Sequence, residues 1–229
     1  KGTYEQIFSN LLASVDAAKA NGAHLRVRSN VDKRNVSSCQ QLIHIFSEHG
    51  LMSKVHLYFA PVYSWGESEG QLNAFTPSEW ADISLSLGRE LLNAGASGRL
   101  LPKSRITPCM HGDVHATVVS PSGELYRCTE VPLVAAYALD AADTNPSELG
   151  YWVVPASTHS TGVGVPSWQE EIEAGRWPCR TCKLYGVCAG NCPRHWREGR
   201  RGCPAYAYNI EKRITAMAEL DQIDIGFVP

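Results

Sequence analysis

Several features that mark particular classes of protein are missing from this sequence. No apolar run approaches the length of a membrane span, and no signal peptide opens the chain. Charged residues make up only 19% of its 229 residues, and a formal net charge of −2 gives no reason to expect general nucleic-acid binding. No internal repeat or low-complexity segment occurs. We therefore expect a cytoplasmic protein with neither a membrane nor a nucleic acid as a partner.

Helical patterns recur along the first hundred residues. The first helix, capped by Thr3, should end near residue 22, and a second should begin near residue 37. A third should begin at Thr76, where Pro77 and Glu79 complete the start signal. Because the helical pattern opens the sequence at once, we expect the native protein to have further chain ahead of it. The apolar residues that mark the inward faces of the first two helices are Ile7, Leu11, Val15, Ala18, Leu42, Ile43 and Phe46.

Two strands should alternate with these helices, at residues 24–31 and 55–61. This order predicts a parallel sheet covered by helices. Active residues in such sheets lie at the carboxyl ends of strands, which directs attention to Arg28, Ser29 and Asn30 and to residues 61–63. These polar side chains either bind a ligand or merely cap the sheet.

The pattern changes near residue 104, where we place a domain boundary after a linker at residues 95–102. Residues 114–119 and 124–127 read as a β-hairpin around the turn Pro121-Ser122-Gly123. A hairpin brings its ends together, so Cys109 and Cys128 could reach one metal centre.

Eight cysteines are the most informative feature, and five of them fall between Cys179 and Cys203. Disulfides are usually more dispersed and belong to secreted proteins, so this clustering favours metal binding. Seven of the cysteines form three groups: Cys109 with Cys128, then Cys179-x2-Cys182-x5-Cys188-x3-Cys192, then Cys203 alone.

Four closely spaced cysteines need not share one cluster. In two-cluster ferredoxins the last cysteine of such a run binds the other cluster. The same crossing here would assign Cys192 to one centre with Cys109 and Cys128. The other centre would take Cys179, Cys182, Cys188 and Cys203.

This cysteine string resembles the motif of the SPASM domain, which carries auxiliary iron–sulfur clusters in radical S-adenosylmethionine (SAM) enzymes. Asn191-Cys192-Pro193 resembles the Gly-Cys-Pro of that family, and the segment from Gly2 to Asn35 looks like the later half of a radical SAM barrel. The resemblance implies an α/β segment of partial (β/α) barrel over residues 1–104. A small α+β SPASM domain over residues 105–229 would follow, with a β-hairpin and cysteine-rich loops closed by a C-terminal helix.

The resemblance also implies two auxiliary [4Fe-4S] clusters, bound by the two cysteine sets given above. Arg28 and Asn30 would contact SAM, and a third [4Fe-4S] cluster would lie in a missing N-terminal part. The intact enzyme would make a 5′-deoxyadenosyl radical that abstracts hydrogen from a peptide or protein, with ferredoxin or flavodoxin as reductant. Its product would be a thioether, a carbon–carbon bond or a related crosslink in a ribosomally made peptide. Formylglycine formation, as in anaerobic sulfatase maturases, is an alternative.

Two departures from the family pattern matter. The radical SAM signature C-x3-C-x2-C is absent, so this chain alone should be inactive. The cysteine that completes the first auxiliary cluster in sulfatase maturases is also absent, leaving either His115 as fourth ligand or an open iron. A two-residue hairpin turn would put His115 opposite Cys128, whereas a three-residue turn would pair Cys128 with Ala116 and turn His115 to the other face.

The alternative from another functional class is a zinc-stabilised binding module, since seven cysteines and His115 could just supply the eight ligands of two closed zinc sites. Cys39 belongs to neither group and should be a buried structural thiol. The basic run Arg194, Arg197, Arg200 and Arg201 either is solvated, balances cluster charge or contacts an acidic peptide.

Overall fold

The computed structural model describes residues 2–63, 72–105, 109–110, 118–119, 125–126, 128–130, 153–154 and 168–220. The chain divides into two compact units. The first unit comprises the described residues up to Leu101 together with those from Tyr208 onward. The second unit lies between them, from Pro102 to Ala207. No helix in these described ranges is long and apolar enough to cross a bilayer.

The first unit contains a two-stranded parallel sheet, and the predicted pairing is confirmed. Its elements in chain order are α1 (Thr3–Ala20), β1 (Leu25–Val31), α2 (Val36–Glu48), β2 (Val55–Pro61), α3 (Pro77–Asn93) and, after the second unit, α7 (Ile210–Leu220). Leu25 pairs with Val55 and the register continues to Val31 opposite Pro61. Half-buried and exposed residues alternate along β1 from Leu25 to Asn30, and the last residue, Val31, is buried.

The helix starts follow the sequence to different degrees. The capping box of α3 is confirmed, because the Thr76 side chain accepts from the Glu79 backbone N–H and the Glu79 carboxylate accepts from the Thr76 N–H. At α1 the prediction is wrong: Gly2 occupies the cap position without a side-chain bond. Ile7 is 59% exposed. Phe8 takes its place, with its ring centroid 6.1 Å from that of Phe46.

Helix α7 packs on the first unit through an apolar face. A cluster of Leu85, Leu100 and Ala216 joins α7 to α3 and the segment after it. Arg213 is 8% exposed and donates to the Leu100 carbonyl at 3.2 Å and the Ala81 carbonyl at 3.1 Å. The domain division expected at residue 104 assigned this helix to the second domain, whereas the structure assigns it to the first unit.

The second unit combines a small antiparallel sheet with short helices. Its elements are β3 (Val118–Val119), β4 (Leu125–Tyr126), β5 (Val153–Val154), α4 (Trp168–Glu173), a 3-10 turn (Pro178–Thr181), α5 (Tyr185–Cys188) and α6 (Pro193–Arg197); a second 3-10 turn (Ala205–Tyr208) ends it. Val118 pairs with Tyr126 and Val119 with Leu125, as a three-residue turn would give. Strand β5 pairs with β4 and had not been predicted. The turn residues 121–123 lie outside the described residues.

Candidate metal centre

Short helical turns position the first three cysteines of the long run. Pro178 begins a 3-10 turn that carries Cys179, and the Cys182 N–H closes it by donating to the Cys179 carbonyl at 3.1 Å. Helix α5 then ends at Cys188. Cys179 and Cys188 are buried, whereas Cys182 is exposed. The three thiols therefore come from one compact stretch with an inner and an outer side.

The chain reverses between Cys188 and Cys192 through three consecutive left-handed residues. Ala189 has φ 49°, Gly190 has φ 81° and Asn191 has φ 55°. Two indoles stabilise the reversal: Trp168 donates to the Ala189 carbonyl at 2.9 Å, and Trp196 donates to the Gly190 carbonyl at 3.0 Å. This turn separates Cys192 from the three cysteines before it.

Cys203 joins the earlier cysteines because the segment before it is tied to the reversal. The Gly202 carbonyl accepts from the Asn191 side-chain amide at 2.8 Å and from the Cys192 N–H at 3.3 Å. A Cβ on Gly202 would lie 2.6 Å from the Cys192 carbonyl oxygen and 2.6 Å from the Trp196 ring. Only glycine therefore fits this close approach of the two segments.

The thiols of this group surround one cavity of about 520 Å³, whose wall includes Cys179, Cys182, Cys188 and Cys203. Trp177, Trp196 and Tyr185 supply much of its remaining wall, and Arg200 and Arg201 line it as well. Trp177 and Trp196 lie with ring centroids 6.0 Å apart. Four cysteines thus line one pocket whose surface is otherwise largely aromatic and apolar.

Burial dominates the protonation of these thiols. Burial raises the pKa of Cys179 to about 11, with further increases from Cys188, Cys203 and Cys182. Burial also raises the pKa of Cys188, which Cys182 and Cys203 raise further against the lowering by hydrogen bonds from its own N–H and that of Gly190. These effects of one thiol on the pKa of another accompany the position of all four cysteines around one cavity. A soft cation entering the cavity would displace the thiol protons.

The second group of cysteines is separate from this cavity. Burial raises the pKa of Cys192, the His195 N–H that donates to its sulfur lowers it, and Cys109 and Cys128 raise it further. The effect of Cys109 and Cys128 on this pKa associates these two cysteines with Cys192, and none of the three lines the cavity. This grouping agrees with the crossing arrangement, whose assignment of ligands to two centres stays a prediction. His115 lies outside the described residues.

A buried ionic network supports α4 and α6 behind the cavity. Glu171 is 2% exposed; one carboxylate oxygen accepts from Arg197 and the other from the Trp177 indole at 2.9 Å. Arg194 is 2% exposed and donates to Glu198 at 2.6 Å. Two arginines of the basic run are therefore internal, which excludes both of them from a solvated face. The spacing of Arg194 and Glu198 by four residues is a local signal for that pair, whereas Glu171 and Arg197 lie 26 residues apart.

The remaining candidates lie in the first unit. Arg28 and Asn30 are both exposed and alternate along β1 with half-buried residues, so they share one face. The Asn30 carbonyl accepts from the Asn35 side chain at 3.0 Å. Cys39 is 3% exposed in α2 and its thiol donates to the Asn35 carbonyl at 3.6 Å. Cys39 is thus the buried thiol that was predicted.

Donor chemistry suits the cavity to iron and sulfur, since four thiolates are the usual ligands of a [4Fe-4S] cluster. Among the residues that the structure describes, no three His, Cys, Asp or Glu side chains meet closely enough to hold a single metal ion. Comparison with protein-family models, with curated proteins and with solved structures finds no match to this chain. The likeness to SPASM domains rests on the residues of the sequence itself.

Proposed function

We propose that this chain is the auxiliary-cluster part of a radical SAM enzyme that modifies a peptide or protein side chain. The observation that carries the proposal is the gathering of Cys179, Cys182, Cys188 and Cys203 around one cavity. Cys109 and Cys128 raise the pKa of Cys192, and this interaction outside the cavity supports a second centre. In this proposal each set of thiolates holds one auxiliary [4Fe-4S] cluster.

The spacing of the side chains favours a cluster over a single ion. A zinc ion holds its sulfur ligands about 2.3 Å from one point. Among the described residues no three possible ligands meet that closely, which suits cysteines that each bind a different iron. When bound, the clusters would supply one-electron transfer.

This chain's own residues would bind and shield the clusters. Buried Cys179 and Cys188 form the inner side of the cavity, while Trp177 and Trp196 exclude water from its wall. Burial and sulfur hydrogen bonds of this kind set the reduction potential of such centres. Because β3 and β4 pair in the register of a three-residue turn, which opposes Cys128 to Ala116, the second centre would more readily leave one iron open to solvent or substrate than take His115 as its fourth ligand.

The first unit would contribute to the active site of the complete enzyme. Arg28 and Asn30 would contact SAM from the exposed face of β1, in keeping with their shared orientation. The radical-forming cluster needs a C-x3-C-x2-C motif, which this sequence does not contain. The other partners would be the substrate peptide, which would acquire a thioether or carbon–carbon crosslink, and a cytoplasmic ferredoxin or flavodoxin.

Metal analysis tests this proposal against a zinc module. The chain is purified and reconstituted without oxygen, and iron, acid-labile sulfide and zinc are counted per chain. Two four-iron clusters predict about eight irons and about eight sulfides, with visible absorbance that bleaches on reduction. Stoichiometric zinc that survives iron reconstitution would overturn the proposal and leave a structural binding module.

A further inference from the structure

One cysteine of the cavity accepts a hydrogen bond from a cation. The Arg201 Nε lies 3.3 Å from the Cys203 Sγ and donates to it. Hydrogen bonds to the sulfurs of Cys179 and Cys188 come instead from backbone N–H groups. A charged donor acts on a thiolate more strongly than a neutral amide does.

The backbone around Arg201 is fixed on both sides of this contact. Gly202, which lies between Arg201 and Cys203, is buried and holds the reversal through its carbonyl. Arg201 and Cys203 both line the cavity, and Cys203 is half-buried. Arg201 itself is exposed, and its guanidinium approaches the sulfur at the outer side of the cavity.

We propose that Arg201 is a positioning residue that raises the reduction potential of the cluster bound by Cys179, Cys182, Cys188 and Cys203. The proposal rests on the proposed function, because it requires that a cluster is bound there. A one-electron donor such as dithionite or a reduced ferredoxin supplies one electron, the cluster gains one negative charge, and no bond breaks. Part of this charge resides on the thiolate sulfurs, so a cationic donor at Cys203 stabilises the reduced form more than the oxidised form.

The test is a potentiometric titration of the reconstituted full chain, followed by electron paramagnetic resonance of the reduced clusters. Arg201→Met removes both the charge and the donor. We expect the reduction equilibrium of one cluster to weaken about tenfold, a shift of about 59 mV to lower potential for one electron. The cluster at Cys109, Cys128 and Cys192 should keep its potential and serves as an internal reference.

Arg200→Met is the matched control for charge. Arg200 also lines the cavity, but its guanidinium pairs with Glu198. This variant removes the same charge and leaves the donor to Cys203 in place, so its shift should be clearly smaller. Arg201→Lys keeps the charge but lacks the planar guanidinium. The reduction potential of the cluster in this variant should lie between those of the wild type and of Arg201→Met.

The outcomes distinguish the two proposals. Equal shifts in Arg200→Met and Arg201→Met, or no shift in an Arg201→Met chain that keeps its iron, would overturn the role of Arg201. If Arg201→Met fails to retain iron, the comparison of Arg201→Lys with the wild type decides the question in the same way. A wild-type chain that takes up no iron would contradict the proposed function itself.

Discussion

The Trp168 indole N–H donates to the Ala189 carbonyl across 2.9 Å in the interior of the second unit. Trp168 begins α4 and is 1% exposed, whereas Ala189 begins the left-handed reversal between Cys188 and Cys192. A helix that carries no candidate ligand thereby fixes the turn that divides the cysteines into two sets.

Replacement of Trp168 by Phe should destabilise the second unit. The buried Ala189 carbonyl would lose its donor, which costs about 1–3 kcal/mol in free energy of unfolding. Urea unfolding followed by circular dichroism measures the change. Trp196→Phe is the control, because Trp196 makes the corresponding bond to Gly190 from a half-exposed position. A smaller loss for Trp168→Phe than for Trp196→Phe would contradict this account of the turn.

Replacement of Gly190 by Ala should be more damaging still. Its φ of 81° disfavours any side chain, and a Cβ there would lie 2.8 Å from the Trp168 ring. Backbone strain and overpacking together should cost about 2–5 kcal/mol. Gly199→Ala separates the two effects, since Gly199 has φ 73° but no atom within 4 Å of its Cβ position. We expect about 1 kcal/mol there, from strain alone. Equal losses of thermal stability in the two variants would refute the packing role of Gly190.

The Glu171–Arg197 pair should be essential for stability of the second unit. Glu171→Leu leaves the Arg197 guanidinium, whose side chain is 9% exposed, without its buried carboxylate. Loss of one partner from a buried pair costs about 3–5 kcal/mol. The exposed pair of Lys212 with Asp82 is the contrast, and Lys212→Met should cost about 0–1 kcal/mol. Denaturant midpoints measure both, and similar losses would show that burial does not decide the effect.

Acid should weaken the first unit through Glu79. The hydrogen bond from Lys33, together with those of Thr76, lowers the pKa of Glu79 from 4.5 to about 2. A carboxylate with a depressed folded-state pKa stabilises the fold above its unfolded pKa, and this contribution is lost as the pH falls from about 4.5 to about 2. Glu79→Gln should therefore flatten the fall of the melting temperature over this range. Lys33→Met should flatten it in part, because it removes the largest cause. An unchanged slope in Glu79→Gln would contradict the assignment.

Local signals in the sequence predicted local structure well. The Thr76 capping box and the strand Val55–Pro61 depend on neighbouring residues, and both are confirmed. The inward face of α1 is confirmed at Leu11, Val15 and Ala18, and the prediction is wrong only for Ile7. Phe8, which contacts Phe46, occupies the next position of that face.

The spacing of the cysteines predicts two sets of ligands, which stays a prediction, but it gives no indication of what supports them. Trp168 lies 21 residues before its partner Ala189, and Glu171 lies 26 residues before Arg197. Bonds over such separations leave no periodic mark in a sequence. A tryptophan and three acidic residues on one short helix, followed by a basic run, are the hint that the sequence offers.

The division of the cysteines into two sets is the central claim, and iron counts in single cysteine variants test it directly. The wild type and Cys39→Ala should bind about eight irons per reconstituted chain, because Cys39 belongs to neither set. Cys179→Ala and Cys192→Ala should each retain about four, with the paramagnetic signal of a different cluster surviving in each. Loss of the same signal from both variants would contradict the account, because Cys179 and Cys192 would then serve one centre.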